Sequence, residues 1–475
     1  MRKITGLILF IALALLGDSH ANVYASPASA TAAIRFAVVG DYGMAGQAEA
    51  DVAALVESWN PDFIITVGDN NYLMGSTTTI DANIGQYYHS YIYPYTGNYG
   101  AGATTNKFFP IPGNHDWETP DAQPYVDYFK LPGNERYYDF VKGPIHFFAL
   151  DSDPREPDGY TQTSTQGIWV ENAIKNSTTP WQVVLAHHAP YSSGLHGSSA
   201  YMQWDFQAWG ADAALSGHDH TYERIVLNGF PYFVNGLGGA EIYSFNTPVT
   251  GSMLRYNGDH GAMLIEATDT QITFRFYNRT GTLKDEYILK TTFADVAKNY
   301  WAWSSIEKLY NAHITTGCGT SPFIYCPTSP VTRSQMAVFL LRGIHGSTYS
   351  PPAPSGTIFG DVPANYWAAG WIEQLAAEGI TSGCGNGNYC PDIAVTRDQM
   401  AVFLLRARHG RTYTPPLPKG TVFGDVPVTY WAAGWIEQLA GEGITGGCGG
   451  GNYCPTNSVT RDQMAVFLVK TFNLP

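Results

Sequence analysis

Five short polar clusters hold the residues that could carry out chemistry in this chain of 475 residues. In chain order they are Gly40-Asp41-Tyr42-Gly43, Gly68-Asp69-Asn70-Asn71-Tyr72, Gly113-Asn114-His115-Asp116, His187-His188-Ala189-Pro190 and Gly217-His218-Asp219-His220. They offer carboxylate, imidazole, amide and phenol groups and no thiol. This mixture suits iron, manganese or zinc, whereas calcium prefers oxygen almost throughout and structural zinc usually takes cysteine. The clusters therefore predict a metal site.

Each cluster interrupts or ends a hydrophobic run that is short and rich in apolar or β-branched residues, as is typical of a buried strand. The runs are 34–39, 63–67, 108–112, 181–186 and 213–215. Ligands of open α/β sheets bind beyond the carboxyl ends of the strands, so we expect the clusters to meet in one crevice. Two metal ions roughly 3.5–4 Å apart would form the clamp that hydrolyses phosphate esters.

The order Asp-x-Gly, Gly-Asp-x-x-Tyr, Gly-Asn-His-Asp, His-x-Pro and Gly-His-x-His resembles the purple acid phosphatases, within the calcineurin-like metallophosphoesterases. The similarity covers roughly residues 32–291 and includes Leu131–Tyr138 and the segment Tyr222-Glu223-Arg224. It implies an α/β domain at 31–291, a metallophosphoesterase β-sandwich flanked by helices. It also implies an acid phosphatase that hydrolyses phosphate monoesters by attack of a metal-bound hydroxide.

Carried over position by position, the resemblance implies a binuclear centre of Fe(III) and a second divalent ion, which is iron, zinc or manganese. The ferric ion would be held by Asp41, Asp69, Tyr72 and His220, and the second ion by Asp69, Asn114, His188 and His218. Tyr72 favours iron, because a phenol with a pKa of about 10 needs a strongly acidic metal to lose its proton at low pH.

Two adjacent histidines compete for one ligand position. Neighbouring side chains of an extended strand point to opposite faces, so only one of His187 and His188 can face the metals. We predict His188, because the family ligand lies two residues before a proline. His115 and His196 match family positions that contact substrate. They are the two candidates for the roles of general acid and phosphate stabiliser.

Two other functions stay open. A phosphodiesterase or nucleotidase could use the same fold and ligands, since the pocket walls and not the metal ligands choose the ester. An inactive domain in a surface binding protein is the other alternative, although a decayed site should have lost at least one of its ligands. Assays with a monoester, a diester and nucleotides distinguish a monoester phosphatase from a phosphodiesterase or nucleotidase. Metal content distinguishes these enzymes from an inactive domain.

The chain begins with features of a secretory signal peptide at 1–30: Met1-Arg2-Lys3, an apolar stretch from Ile4 to Leu16, and small residues ending near Ala30. The apolar stretch is too short to span a membrane, and no later segment approaches about 18 apolar residues. We therefore expect an exported protein with no membrane span. A formal net charge of −14 argues against a nucleic-acid partner.

After residue 291 the chain repeats itself three times, with Phe293, Phe359 and Phe423 opening each unit at intervals of 66 and 64 residues. Each unit holds an amphipathic stretch and a Thr-Arg-x-Gln-Met-Ala-Val-Phe-Leu segment, which predicts two helices with a threonine cap on the second. The units resemble S-layer homology modules at 292–348, 357–412 and 421–475. The resemblance implies three small, mainly helical repeats that bind cell-wall polysaccharide and attach the protein to a bacterial wall or surface layer.

Within the repeats, the resemblance makes Arg333, Arg397 and Arg461 the candidate polymer contacts, and the alternative is that they only brace the helices. All six cysteines lie in the repeats, one close pair in each unit, which favours three local disulfides and an oxidising compartment. Zinc binding fits less well, because the pairs lack histidine partners at finger spacing.

Overall fold

A computed structural model describes residues 33–321 and 323–474. The predicted signal peptide at 1–30 lies outside the described residues. Up to residue 290 the chain forms a sandwich of two sheets with helices on its outer faces, which confirms the predicted α/β sandwich flanked by helices. The strands are β1 Ile34–Val39, β2 Phe63–Thr66, β3 Phe108–Pro110, β4 Tyr138–Lys142, β5 Ile145–Ala149, β6 Trp181–Leu185, β7 Ala213–Ser216, β8 Tyr222–Leu227, β9 Phe230–Asn235, β10 Ser252–Tyr256, β11 Gly261–Ala267, β12 Gln271–Asn278 and β13 Leu283–Lys290.

One sheet has the order β13-β12-β11-β1-β2-β3 and the other β10-β8-β9-β7-β6-β5-β4. The strands that precede the polar clusters are parallel within each sheet: β1 pairs with β2, β2 with β3, and β6 with β7. Their carboxyl ends therefore lie at the same edge of the sandwich. Aromatic rings join the two sheets inside, where Phe36 of β1 lies 5.2 Å from Phe147 of β5.

Helices cover the outer faces of the sandwich because each carries one apolar side. On α1 (Gln47–Ser58) the buried residues Val52 and Val56 belong to the main core. On α4 (Thr165–Lys175) Val170 and Ile174 pack in a second core, and Ser164 caps that helix by accepting a hydrogen bond from the Gly167 N–H. Three shorter helices complete the layer: α2 Gln86–Tyr88, α3 Gln123–Tyr128 and α5 Phe206–Trp209.

The rest of the chain folds into three units of two helices each. Their helices are α6 Trp303–Asn311 with α7 Arg333–His345, α8 Ala369–Ala377 with α9 Arg397–His409, and α10 Ala433–Gly441 with α11 Arg461–Phe472. In the first unit β14 (Gly319–Thr320) pairs with β15 (Phe323–Ile324). The units close into a ring, since α7 packs on α8, α9 on α10, and α11 back on α6. All three share one hydrophobic core.

The three repeat arginines lie inside this ring. Arg333, Arg397 and Arg461 are only 3%, 3% and 5% exposed. Each donates from Nε, at 2.7 Å, to a tyrosine carbonyl of another unit, which is that of Tyr389, Tyr453 and Tyr325 respectively. Burial makes direct contact with a polymer impossible in this arrangement. The structure therefore supports the alternative that these arginines brace the helices.

Disulfides close a turn in each unit, as predicted: Cys318–Cys326, Cys384–Cys390 and Cys448–Cys454. The ring meets the sandwich through Lys298, which forms an ion pair with Asp212, and through Asn299, which donates to the Thr178 carbonyl at 3.0 Å. Asp212 and Thr178 precede β7 and β6. The junction therefore lies at the amino-terminal ends of these strands, opposite the edge that holds the polar clusters.

Candidate metal centre

The five polar clusters follow the carboxyl ends of β1, β2, β3, β6 and β7 and meet in one crevice. The strands that carry the candidate ligands come from both sheets, and most of these ligands are buried. Chain segments that are nearly 180 residues apart meet there, because the His218 N–H donates to Asp41 Oδ2 at 3.0 Å. The crevice thus joins the two halves of the sandwich.

Four of the predicted ligands form a tight group on one side of the crevice. Oxygen and nitrogen atoms of Asp41, Asp69 and His220 all lie within 4.8 Å of one another. The Tyr72 hydroxyl is 2.9 Å from both Asp69 Oδ2 and His220 Nε2, and 3.3 Å from Asp41 Oδ1. His220 is held in this orientation by its Nδ1, which bonds to the Glu241 carbonyl at 2.6 Å. These atoms could hold one metal ion.

A second group shares Asp69 with the first. Asn114 Oδ1 lies 2.9 Å from His218 Nδ1 and 3.1 Å from His187 Nε2. His187 Nε2 is also 3.4 Å from Asp69 Oδ1, while Asp69 Oδ2 belongs to the first group. A carboxylate with one oxygen in each group is what a ligand bridging two metal ions needs.

Of the two adjacent histidines, His187 and not the predicted His188 points toward Asn114 and Asp69. His187 Nδ1 bonds to the Val67 carbonyl at 2.8 Å, which turns Nε2 toward Asn114 and Asp69. His188 Nδ1 instead bonds to Ser152 Oγ at 2.9 Å. The prediction of His188 used its spacing to Pro190, and β6, which is buried on both faces, has no polar side that could have marked the inward direction.

An unusual backbone conformation orients three of the candidate ligands. Asp41, Asp69 and His218 have φ values of 53°, 53° and 70°, a left-handed conformation that is unfavourable for residues with a Cβ atom. Glycines make room for the side chains, since a Cβ on Gly113 would overlap Asp69 and one on Gly217 would overlap Asp41. Strain of this kind persists where the surrounding structure requires it, as it often does at functional sites.

Neighbouring ionisable groups in the crevice shift the pKa values of one another. Burial alone would raise the pKa of Asp69, but the neighbouring His187 and His115 bring it far below its usual value. Burial lowers the pKa of His187, but the charge and hydrogen bond of Asp69, the charge of Asp41 and the bond to the Val67 carbonyl together outweigh burial and raise it to about 10. Burial and the charge of Asp69 raise the pKa of Tyr72 well above that of a free phenol. Buried anionic groups are costly unless a cation offsets them, so this donor set fits metal ions.

The two other candidate histidines lie on either side of the ligand groups. His115 Nδ1 bonds to the Leu73 carbonyl at 2.6 Å, and its ring centre is 4.3 Å from that of Tyr72. His196 is exposed, and its ring stacks on His218 with 4.3 Å between centres. Both rings can therefore reach a molecule bound in the crevice.

Sequence reasoning missed Tyr243, which lies on a long connection after β9. Its ring stacks on His220 with centres 4.0 Å apart and planes 7° from parallel, and its centre is 5.5 Å from that of His196. The connection has no motif that would have marked this tyrosine. Only the return of the connection over the strand ends brings it to the crevice.

Known proteins of two kinds are similar to this chain, one kind to each of its two parts. A family model described as calcineurin-like phosphoesterase matches residues 13–222. The chain contains a calcineurin-like metallophosphoesterase domain. It also has purple acid phosphatase homologues: purple acid phosphatase 17 of Arabidopsis thaliana is 22% identical over 318 residues, which are 59% of this chain and 92% of that protein. Purple acid phosphatase PPD1 of yellow lupin has a solved structure that superposes with a TM-score of 0.45 and 19% identity, covering 55% of this chain and 54% of that one.

The helical units have relatives of another kind. The S-layer homology domain model matches residues 358–401 and 422–465, which lie in the second and third units. S-layer protein EA1 of Bacillus anthracis is 30% identical over 144 residues, which are 30% of this chain and 16% of that protein. These matches indicate attachment to a cell surface. No helix in the described part of the chain is both long and apolar enough to cross a membrane.

Proposed function

We propose that the metallophosphoesterase domain is a binuclear-metal phosphatase of the purple acid phosphatase kind, acting on phosphate monoesters. The observation that carries this proposal is the pair of donor groups joined by Asp69. One group contains a tyrosine, Tyr72, whose hydroxyl lies 2.9 Å from both Asp69 and His220.

The proposed ligands are divided between the two metals. Asp41, Asp69, Tyr72 and His220 hold Fe(III), and Asp69, Asn114, His187 and His218 hold a divalent iron, zinc or manganese ion. This set keeps every ligand predicted from the sequence except His188, which His187 replaces. When bound, the metals would neutralise the phosphate charge and lower the pKa of a water molecule that attacks phosphorus.

Two histidines of the chain complete the chemistry. His196 is exposed at the open side of the crevice, and it donates a proton to the leaving alkoxide as the P–O bond breaks. His115 is held by its bond to the Leu73 carbonyl, and it binds the phosphate oxygens. The attacking water releases a proton to solvent, so ester and water yield alcohol and inorganic phosphate. General acid catalysis of this kind is worth about 10²- to 10⁴-fold in rate.

The protein would act at the cell surface. We infer that it is exported by its amino-terminal segment and that the helical units bind cell-wall polysaccharide. The relatives of these units and the two S-layer homology matches support this inference. Sedimentation of the purified protein with isolated bacterial walls would test it, and the protein would remain in the supernatant if the inference is wrong.

The first experiment is a visible absorption spectrum of the purified protein with metal analysis of the same sample. A tyrosinate–ferric pair gives a broad band that should disappear in Tyr72→Phe. The same preparations are assayed with a monoester, a diester and nucleotides. A colourless protein that holds two zinc or manganese ions and prefers diesters would contradict the proposal and favour a phosphodiesterase. A metal-free, inactive protein would favour a surface binding role.

A further inference from the structure

The loop that carries His196 is attached directly to the metal-ligand motif. Asp219 lies between the proposed ligands His218 and His220, and its side chain is fully buried. Its Oδ1 accepts a hydrogen bond from the His196 N–H at 2.7 Å, and its Oδ2 accepts one from the Gly197 N–H at 3.1 Å. The Ser192 hydroxyl also donates to Oδ2. One carboxylate therefore binds the loop at three points.

The loop fits closely around this carboxylate. Gly194 passes so near that a Cβ atom there would overlap the Asp219 carboxyl group. Its N–H donates to Ser192 Oγ at 2.9 Å, so the Asp219 carboxylate organises the backbone through Ser192 as well. In the described part of the chain Asp219 makes no ion pair. Its carboxylate accepts bonds from these N–H and O–H donors, and bonds to an ionised carboxylate are stronger than neutral ones.

A second buried carboxylate holds the loop at Ser193. Glu223 on β8 accepts bonds from the Ser193 N–H at 2.6 Å and from the Ser193 hydroxyl at 2.7 Å. Glu223 bonds to Ser193 and not to His196, whereas Asp219 is flanked by the proposed ligands on both sides and accepts the bond from the His196 N–H itself. The position of His196 relative to the ligands is therefore set through Asp219.

The His196 side chain itself has little other support. Its ring is exposed and contacts the rings of His218 and Tyr243. Its backbone N–H is the group that Asp219 holds. A shift of about 1 Å in a catalytic group can cost about 10²-fold in rate, so a bond that fixes the backbone of His196 would matter for the reaction.

We propose that Asp219 is a positioning residue that holds His196 in place against the leaving-group oxygen. This inference rests on the proposed function. It gives a carboxylate inside the ligand motif a role other than binding metal. It also predicts that loss of the Asp219 carboxylate slows the hydrolysis only of esters whose leaving group needs a proton.

The test is Asp219→Asn, assayed with ethyl phosphate and with p-nitrophenyl phosphate. An ethoxide needs a proton as it leaves, whereas p-nitrophenolate leaves without one. We expect kcat for ethyl phosphate to fall about 10²-fold, the range of general acid catalysis, and kcat for p-nitrophenyl phosphate to change by less than about 3-fold. Metal content and the visible spectrum should match the wild type. Asp139→Asn, on β4 and away from the crevice, is the matched control.

Three results would overturn the inference. One is an equal fall of kcat for both esters, and another is no fall for either. The third is loss of metal together with activity, which would mean that Asp219 supports the ligands. If Asp219→Asn does not fold, Ser192→Ala removes a loop-side partner of the same carboxylate, and it should show the same selectivity for ethyl phosphate to a smaller extent.

A double variant gives a further readout. If Asp219 acts through His196, then His196→Ala with Asp219→Asn should hydrolyse ethyl phosphate no more slowly than His196→Ala alone. Additive losses would show that Asp219 acts elsewhere. A wild-type protein that hydrolyses neither ester would instead reject the proposed function, so the two failures are distinguishable.

Discussion

At the scale of single residues, the chemistry of the crevice depends on which atoms point inward. His187 and His188 are neighbours with the same side chain, yet only His187 lies beside both Asn114 and Asp69. His188 is turned to Ser152, and burial followed by the charge of His187 lowers its pKa to about 3. Its neutral ring therefore suits the wall of the crevice.

Metal stoichiometry should separate these two histidines. His187→Ala removes a ligand of the second metal only, so we expect about one metal ion per chain with the visible band retained, because Tyr72 belongs to the other group. His188→Ala should keep both ions. Metal analysis by mass spectrometry measures the difference, and the opposite pattern would restore His188 as the ligand.

Another residue-scale feature is Glu49, a buried glutamate on α1. No side chain within the described residues donates a hydrogen bond to its carboxylate oxygens. Burial raises the pKa of Glu49 well above its usual value of 4.5. At pH values between its unfolded and folded pKa, such a carboxyl group is protonated in the folded protein and ionised in the unfolded chain. Stability is therefore full below pH 4.5 and is lost as the pH rises toward the folded pKa.

Glu49→Gln should remove this dependence on pH. The wild type should lose up to about 1.4 kcal/mol of unfolding free energy for each pH unit in that window, and the variant should not. We expect the two proteins to be equally stable near pH 4 and the variant to be more stable at pH 8. Denaturant unfolding at both pH values measures this. Parallel loss of stability in both proteins would show that another group is responsible.

At the scale of elements, the crevice depends on how closely the strand ends approach one another. Gly217 follows β7 and leaves no space for a Cβ atom beside Asp41 of the β1 end. This contact joins one sheet to the other beside the proposed ligand Asp41. A change at this glycine should therefore act on the ligands while the strands remain formed.

Gly217→Ala should weaken metal binding by about 10-fold or more, because a displaced ligand loses optimal geometry. Gly46→Ala is a matched control, since Gly46 is exposed in extended backbone and its new methyl group would have ordinary contacts at 3.6 Å. Metal titration followed by absorbance compares the two variants. Equal affinities would mean that the strand ends can separate without harm to the centre.

At the scale of the whole molecule, the three helical units stabilise one another as a closed ring. Arg397 shows how: its guanidinium group lies over the rings of Tyr453 and Phe467 and bonds to the carbonyls of Tyr453 and Gly447. All these partners belong to the next unit. The ring in turn meets the sandwich opposite the crevice, so the proposed anchor leaves the crevice open.

Arg397→Ala should destabilise the ring by about 3 kcal/mol, because it leaves buried carbonyl groups unpaired and a cavity between aromatic rings. We expect a lower melting temperature for the helical units and unchanged hydrolysis of p-nitrophenyl phosphate at low temperature. Arg411→Ala, which changes an exposed arginine, is the control. Calorimetry measures both. Loss of wall binding without any loss of stability would revive Arg397 as a polymer contact.

Local patterns in the chain were enough to identify the donor types, the strands that carry them and the repeats. Asp41, Asp69 and His218 could be found because a buried run, a glycine and a polar side chain are local features, and parallel strands bring their ends to one edge. The cysteine pairs could be found because each lies within one turn.

The remaining features depend on tertiary packing. It turns His187, and not His188, toward Asn114 and Asp69, and a strand buried on both faces has no polar side that could have marked this orientation. It placed Arg333, Arg397 and Arg461 inside a ring, because their partners lie in other units of the chain. It also placed Asp219 beneath His196 and Tyr243 beside His220. These contacts join residues that are distant in sequence, so their geometry depends on the packing of the whole fold and not on any local pattern.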